Sequence, residues 1–230
     1  LGIQLAHHGI EPAANLDIRD NPDDIHLFFS ESWKRSDLII TTGGLGPTTD
    51  DLTRESIANA LDEKLVFDES VEQAIQERFK SLHREMPENN LKQCYRPENA
   101  EILSNPYGTA PGLFLKKDGK ILVMLPGPAR EMHPMFEDQV VPRLQKEGIF
   151  PEIDCYLQIR TAGIGESALA EIVEPLLDSV DGLILGYCAH AGMVDIRLSS
   201  LDSDILSEEK LHQLADQCRE ALGDDFVCFG

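Results

Sequence analysis

Basic residues are scarce in this chain. Twenty Lys and Arg stand against 41 Asp and Glu, giving a formal net charge of −21 over 230 residues. That deficit excludes a general nucleic-acid binder, because neutralising a phosphate backbone needs clustered Lys and Arg. It excludes attraction to anionic lipid on the same ground. A polyanionic ligand stays compatible if backbone N–H groups or a bridging cation receive it. Long apolar runs are also missing. None approaches the roughly 18 residues of a membrane-spanning helix, and no secretory leader is expected. Cysteine pairing motifs are missing too. Cys94, Cys155, Cys188, Cys218 and Cys228 are odd in number and form no C-x-x-C. A reduced, cytoplasmic protein is expected rather than a disulfide framework. The seven histidines show no zinc-ligand spacing.

What is present reads as alternating strands and helices. Leu1–Ile10 looks like the tail of a helix ending at Gly9, and the chain does not begin with Met, so an upstream segment is expected. Pro12–Ile18 is a strand candidate. Asn21 is a good helix cap, Pro22 fits the first helical position, and Asp23 and Asp24 suit the positive end of the helix dipole. Ile25, Phe28, Phe29 and Trp33 then follow at helical spacing. Residues 37–42 form a β-branched run typical of a buried parallel strand, and a helix is expected from Asp50 to about Leu61. Val71, Ala74, Ile75, Phe79 and Leu82 mark an amphipathic helix. Met86–Gln93 reads as a loop. Residues 121–125 give a second buried strand, followed by a helix from about Arg130. The pattern predicts an α/β domain over 1–150, a mostly parallel sheet with helices on both faces. From 151 to 230 the order becomes strand 154–160, helix 166–178, strand 182–188, strand 192–199, helix 207–222, strand 225–229. This βαββαβ order makes a small α+β domain with a hairpin at Ala191-Gly192. Four Lys and Arg against 16 Asp and Glu there leave it at −12.

The chemistry is expected beyond the carboxyl ends of the first domain's strands, where open α/β sheets bind ligands. The loop Thr42-Gly43-Gly44-Leu45-Gly46-Pro47-Thr48-Thr49-Asp50-Asp51 has the glycines that let a backbone approach a phosphate. Gly43, Gly44, Gly46 and Thr48 are its candidate ligand contacts. Asp50 and Asp51 would repel a phosphate unless a divalent cation stands between them. A second loop, Leu125–Met132, brings Gly127 and a third carboxylate, Glu131. A third, Asn105–Gly112, offers Asn105, Gly108 and Thr109 to the same edge. Asp20 stands at a strand end and can join the carboxylates. Asp50, Asp51 and Glu131 are the metal candidates. Each feature also has a plainer structural account: a tight turn with an aspartate cap, a rigid strand-to-helix turn, a simple turn residue.

The segment from Thr42 to Thr53 resembles the signature of the competence/damage-inducible protein A (CinA) family. Asn105–Gly112 and Leu125–Met132 resemble two further family motifs in order and spacing. Gly163-Ile164-Gly165-Glu166-Ser167 and the hairpin at Ala191-Gly192 are similar to the family's KH-like second domain. The resemblance implies a molybdopterin-binding-like first domain, with its first strand and an acidic glycine loop upstream of Leu1. It implies a metal-dependent ADP-ribose pyrophosphatase with Asp51 and Asp20 as its catalytic positions. It also implies a homodimer. Many members continue into a nicotinamide-nucleotide amidase domain, which has no counterpart before Gly230, so that activity is not implied. The KH-like part lacks a basic G-x-x-G loop, and its charge argues against RNA.

Three functions follow as expectations. One is hydrolysis of a nucleotide-sugar pyrophosphate bond with a divalent cation (Mg²⁺, Mn²⁺ or Co²⁺) and, as an optional second, a monovalent cation. Another is molybdopterin binding or adenylyl transfer. The third is a non-catalytic dimerising scaffold. One fold hosts all three, so the site must decide.

Overall fold

The computed structural model describes residues 1–8, 10, 12–150, 155–200 and 202–230. The chain divides into two compact units. The N-terminal unit is Ala13–Lys146. The C-terminal unit is Glu147–Gly230 together with Leu1–Pro12. Helix α1 (Gly2–His7) thus clusters with the C-terminal unit, where the sequence placed it at the head of the first. The His8 and Phe150 rings stand 5.9 Å apart in that unit. Gly9, the expected helix end, lies outside the described residues.

Within the N-terminal unit, the Asn21 carboxamide accepts from the Asp23 and Asp24 amides at 3.0 and 3.1 Å and starts α2 (Pro22–Arg35). Ile25 and Phe29 are buried, and the Trp33 ring stacks on Phe29 at 5.6 Å. Next come β1 (Leu38–Thr42), α3 (Thr53–Ala60), β2 (Leu65–Phe67) and α4 (Glu69–Ser81). A 3₁₀ turn over Glu88–Cys94 leads to β3 (Tyr95–Pro97), β4 (Ala100–Leu103), β5 (Gly112–Lys117) and β6 (Lys120–Leu125). Helix α5 (Ala129–Met135) passes through a π-helical turn, Phe136–Val140, into α6 (Val141–Lys146). Pro134 and Pro142 lack the N–H of a regular ladder, and the widened turn sits between them.

The main sheet runs β1-β6-β5-β4. β1 and β6 are parallel, in register from Leu38↔Ile121 to Thr42↔Leu125. The two glycine-containing loops therefore leave the sheet side by side. β5 and β4 extend it as antiparallel strands that the sequence reading did not include. Leu113, Leu115, Leu122 and Met124 join α2 and α3 in one core cluster, while Phe114, Val123 and Leu125, of opposite parity, are buried on the other face. The α/β class with a covered sheet holds.

Three local expectations change. Pro12–Ile18 forms no strand: Ala14, Leu16 and Ile18 alternate as a strand face would, but the stretch pairs with no strand among the described residues and leaves Leu16 and Ile18 exposed. α3 starts at Thr53 rather than Asp50, because residues 43–52 are occupied by a loop held from elsewhere. Met86–Gln93 is not a plain loop: Asn90, Gln93 and Cys94 of the 3₁₀ turn are buried. Among the described residues no helix is long and apolar enough to cross a membrane.

In the C-terminal unit the expected βαββαβ order appears as β7 (Cys155–Ala162), α7 (Glu166–Leu177), β8 (Ile184–His190), β9 (Met193–Ser200), α8 (Glu208–Leu222) and β10 (Phe226–Phe229). Asp154, the expected start of β7, lies outside the described residues. The sheet order is β10-β7-β9-β8, antiparallel throughout. Leu157, Ile159, Ile196 and Leu198 meet Leu169, Val173, Leu211 and Leu214 in one core. On β9, Asp195 is 2% exposed, and Arg160 grips both its oxygens at 2.8 and 2.9 Å.

One polar cluster fastens α4 to the sheet. Asp68 caps α4 through the Ser70 amide at 3.0 Å and accepts from Arg96 Nε at 2.8 Å. Arg96 Nη1 in turn reaches the Pro97, Glu98 and Ala100 carbonyls. Arg96 and Ser70 together hold the Asp68 carboxyl below its usual range. Asp68→Ala is expected to lower stability by about 1–2 kcal/mol, the scale of a lost cap. Guanidinium unfolding followed by Trp33 fluorescence measures this; an unchanged midpoint would refute the role.

Candidate functional site

The β1 and β6 loops meet directly. The Gly43 amide donates to the Leu125 carbonyl at 2.9 Å, and a Cβ built on Gly127 would stand 3.5 Å from Gly43 Cα. Gly44 has φ +68, and a Cβ there would fall 2.0 Å from Thr53 Oγ1, so only glycine fits. Gly43, Gly44, Gly46 and Gly127 form one wall of a cavity of about 440 Å³. Gly108, Thr109 and Glu131 form the facing wall. Arg78, Gln93, Tyr107 and Arg130 complete it.

Asp51 belongs to this cavity, held by its own loop. Its Oδ2 accepts from the Thr48 amide at 2.9 Å and the Thr48 hydroxyl at 2.5 Å. Lys92 Nζ donates to the Thr48 carbonyl at 2.8 Å and also to the Asp51 carbonyl. Burial pushes the Asp51 carboxyl up. The Thr48 hydroxyl and amide, the Gly46 amide and Lys92 outweigh it, so the group lies below its ordinary value. Asp51 is therefore a carboxylate at neutral pH. Gly44 and Leu45 both line the cavity, and among the described residues their amides donate to no protein acceptor.

The facing wall hangs on Asn105. Its Oδ1 accepts from the Tyr107 and Gly108 amides at 3.1 and 2.8 Å. Its Nδ2 donates to the Ala110 carbonyl at 2.7 Å and to Glu131 Oε2 at 2.9 Å. Arg78 on α4 grips the same loop, donating to the Pro106 and Tyr107 carbonyls at 2.6 Å each. Glu131 is 7% exposed, and a Cβ on Gly108 would sit 1.8 Å from its Oε2.

The expected residues therefore divide. Gly43, Gly44, Gly46, Asp51, Gly108, Thr109, Gly127 and Glu131 come together in the cavity wall. Thr48 lies outside it, with its amide and hydroxyl spent on Asp51. Asn105 is not among its lining residues, and its carboxamide is spent on the 105–110 loop and on Glu131. Asp50 is exposed, one residue from Asp51, which turns inward to Thr48; Asp20 is exposed on the stretch before α2. Among the described residues no three Asp, Glu, His or Cys side chains gather as a metal cluster, so Asp50, Asp51 and Glu131 do not form one. Asp51 and Glu131 share the cavity. The sequence reading passed over Arg78, Lys92, Gln93 and Arg130. Arg78 looks like any polar residue of an amphipathic helix, and Lys92 and Gln93 fall in the segment read as a loop.

Residues 1–146, which include the N-terminal unit and α1, match the family model described as "Probable molybdopterin binding domain", and the α/β fold of the N-terminal unit agrees with a molybdopterin-binding-like domain. Residues 158–228 match the "Damage-inducible protein CinA KH domain". The chain belongs to the CinA family. It is 41% identical over 228 residues to a CinA-like protein of Kosmotoga olearia, covering 97% of this chain and 54% of that protein. It is 36% identical over 231 residues to a CinA-like protein of Syntrophomonas wolfei, covering 99% and 55%. The chain thus spans about half the length of these relatives. A crystal structure of the protein CinA from Thermoplasma acidophilum matches with a TM-score of 0.56 at 31% identity, covering 65% of this chain and 85% of that one.

The depressed Asp51 value carries a pH dependence. A carboxyl whose folded value is lowered stabilises above its unfolded value and loses that contribution as pH falls through the folded one. Asp51→Ala is expected to unfold earlier than wild type at neutral pH. The gap should close as pH drops below the ordinary aspartate range. Trp33 fluorescence across a pH series checks this; a gap that persists in acid would overturn the assignment.

Proposed function

We propose that the N-terminal unit binds a nucleotide-type pyrophosphate and hydrolyses it with the help of a divalent cation. ADP-ribose is the proposed substrate. The observation carrying this reading is two carboxylates, Asp51 and Glu131, in one cavity with unpaired glycine-loop amides. Amides alone suit an anion, whereas carboxylates beside an anion call for a cation between them. The Gly44 and Leu45 amides receive one phosphate oxygen. Arg130, at the rim, adds positive charge. Asp51 and Glu131 hold the cation, with Asp51 kept ionised by Thr48 and Lys92. When bound, such a cation neutralises phosphate charge and makes an attacking water more acidic. Water adds across the P–O–P bond, giving AMP and ribose 5-phosphate.

A second reading is supported by the family model of residues 1–146: a molybdopterin-type ligand held in the same cavity without hydrolysis. A thermal-shift panel with Mg²⁺, Mn²⁺ or Co²⁺ separates the two. ADP-ribose with metal should raise the midpoint under the first reading and a molybdopterin-type ligand under the second. Turnover of ADP-ribose by Asp51→Asn should drop by on the order of 10²-fold or more, the scale of one positioned electrostatic group. Asp225→Asn, in the C-terminal unit, should match wild type. Equal turnover by Asp51→Asn and wild type at saturating metal would sink the hydrolase reading. The proposed assembly is a homodimer, and a sedimentation mass near 25.6 kDa at micromolar concentration would rule it out.

A further inference from the structure

The helical stretch after β6 meets the segment between β4 and β5 at three points. Glu131 Oε2 accepts from Asn105 Nδ2 at 2.9 Å. Met135 packs so close to Gly112 that its sulfur would collide with a Cβ there. Gln139 spends both ends of its carboxamide on Ser104. Its Oε1 accepts from the Ser104 amide at 2.9 Å, and its Nε2 donates to the Ser104 carbonyl at 2.8 Å. In an uninterrupted α-helix, eight residues would carry Gln139 about 80° round the axis from Glu131. The π-helical turn over Phe136–Val140 absorbs one residue and returns Gln139 to within about 20° of it. The widened turn thus aligns Glu131, Met135 and Gln139 on one face.

Ser104 needs this partner. β4 ends at Leu103, whose pairing with Gly112 closes the ladder to β5. The next residue in register, Pro111, has no N–H to continue it. Gln139 supplies a donor and an acceptor together, as a neighbouring strand would. Arg143 steadies Gln139 in turn, donating to its carbonyl at 2.7 Å.

We propose that Gln139 is a positioning residue for Glu131. By pinning the backbone at Ser104 it fixes where the 105–110 turn begins, and so brings the Asn105 carboxamide onto Glu131. One consequence rests on the hydrolase reading above: with Glu131 as a cation ligand, a loosened Asn105 weakens cation binding. The Asp51 wall is independent of Gln139, because Thr48 and Lys92 hold its loop. The effects are therefore confined to one side of the cavity.

Gln139→Leu keeps the size of the side chain and removes both bonds. Hydrogen exchange reads the positioning. The Tyr107 and Gly108 amides, which donate to Asn105, should exchange at least tenfold faster than in wild type. The Gly43 and Thr48 amides, on the other wall, should stay within twofold. Gln139→Glu keeps an acceptor for the Ser104 amide and should recover part of the protection. Titration with Mn²⁺ in the absence of substrate reads the consequence. Gln139→Leu should bind Mn²⁺ at least fivefold more weakly, with ADP-ribose turnover at saturating Mn²⁺ within threefold of wild type. Unfolding followed by Trp33 fluorescence checks that each variant folds. Unchanged exchange at Tyr107 and Gly108, or an equal rise at Gly43 and Thr48, overturns the positioning role. Gln139→Glu exchanging as fast as Gln139→Leu would assign the effect to packing and overturn it too. Faster exchange with unchanged Mn²⁺ affinity overturns the link to the cation. A wild type that neither binds Mn²⁺ nor turns over ADP-ribose removes the hydrolase reading and that link together, while the exchange rates still decide the positioning role.

Discussion

The capture of the Asp51 carboxylate by Thr48 is the interaction on which the site depends. Residues 43–52 contain three glycines and a proline and belong to no helix or strand. Such a segment pays a high ordering entropy unless something closes it. Thr48 closes it from inside, with amide and hydroxyl on one carboxylate oxygen, and Lys92 closes it from outside through two carbonyls. The same contacts keep Asp51 ionised and hold it in the cavity wall. Order and charge at this position thus have one cause.

The opposite wall follows the same principle with a different residue. Asn105 uses both ends of its carboxamide, two bonds each, to fold the 105–110 turn and to hold Glu131. Arg78 fastens the turn to α4. In both walls a polar residue next to the cavity holds the carboxylate beside it: Thr48 holds Asp51 with its amide and hydroxyl, and Asn105 holds Glu131 while folding the 105–110 turn. The residues most easily mistaken for ligands, Thr48 and Asn105, are the ones that position them.

The C-terminal unit is stabilised differently. One sheet face packs against α7 and α8 with apolar side chains, while β9 also carries the buried Asp195. A buried carboxylate is tolerated because Arg160 meets it with two parallel bonds and Gln158 adds a third at 2.9 Å. Neither partner is near the other in sequence; β7 and β9 bring them together through the Arg160↔Asp195 register.

Much was legible in the sequence because it is local. Asn21-Pro22 sets the start of α2, the apolar runs at 38–42 and 121–125 are strands, and the βαββαβ order of the C-terminal unit follows from periodicity. The glycine loops mark the ends of β1 and β6, and a parallel pair necessarily brings such ends to one edge. The hairpin from β5 to β6 was also signalled, by Asp118-Gly119 with both residues at positive φ, although the reading passed over it. Pairing and direction were not legible. That Asp51 faces the cavity while Asp50 faces solvent depends on Lys92, 41 residues away, and that Glu131 is held depends on Asn105, 26 residues away. Local sequence determined where the chain bends and which faces are apolar, because those follow from each residue's own backbone and hydration preferences. Only the tertiary structure decided which polar groups meet, because hydrogen bonds are short and directional and their partners are chosen by the packing of distant elements.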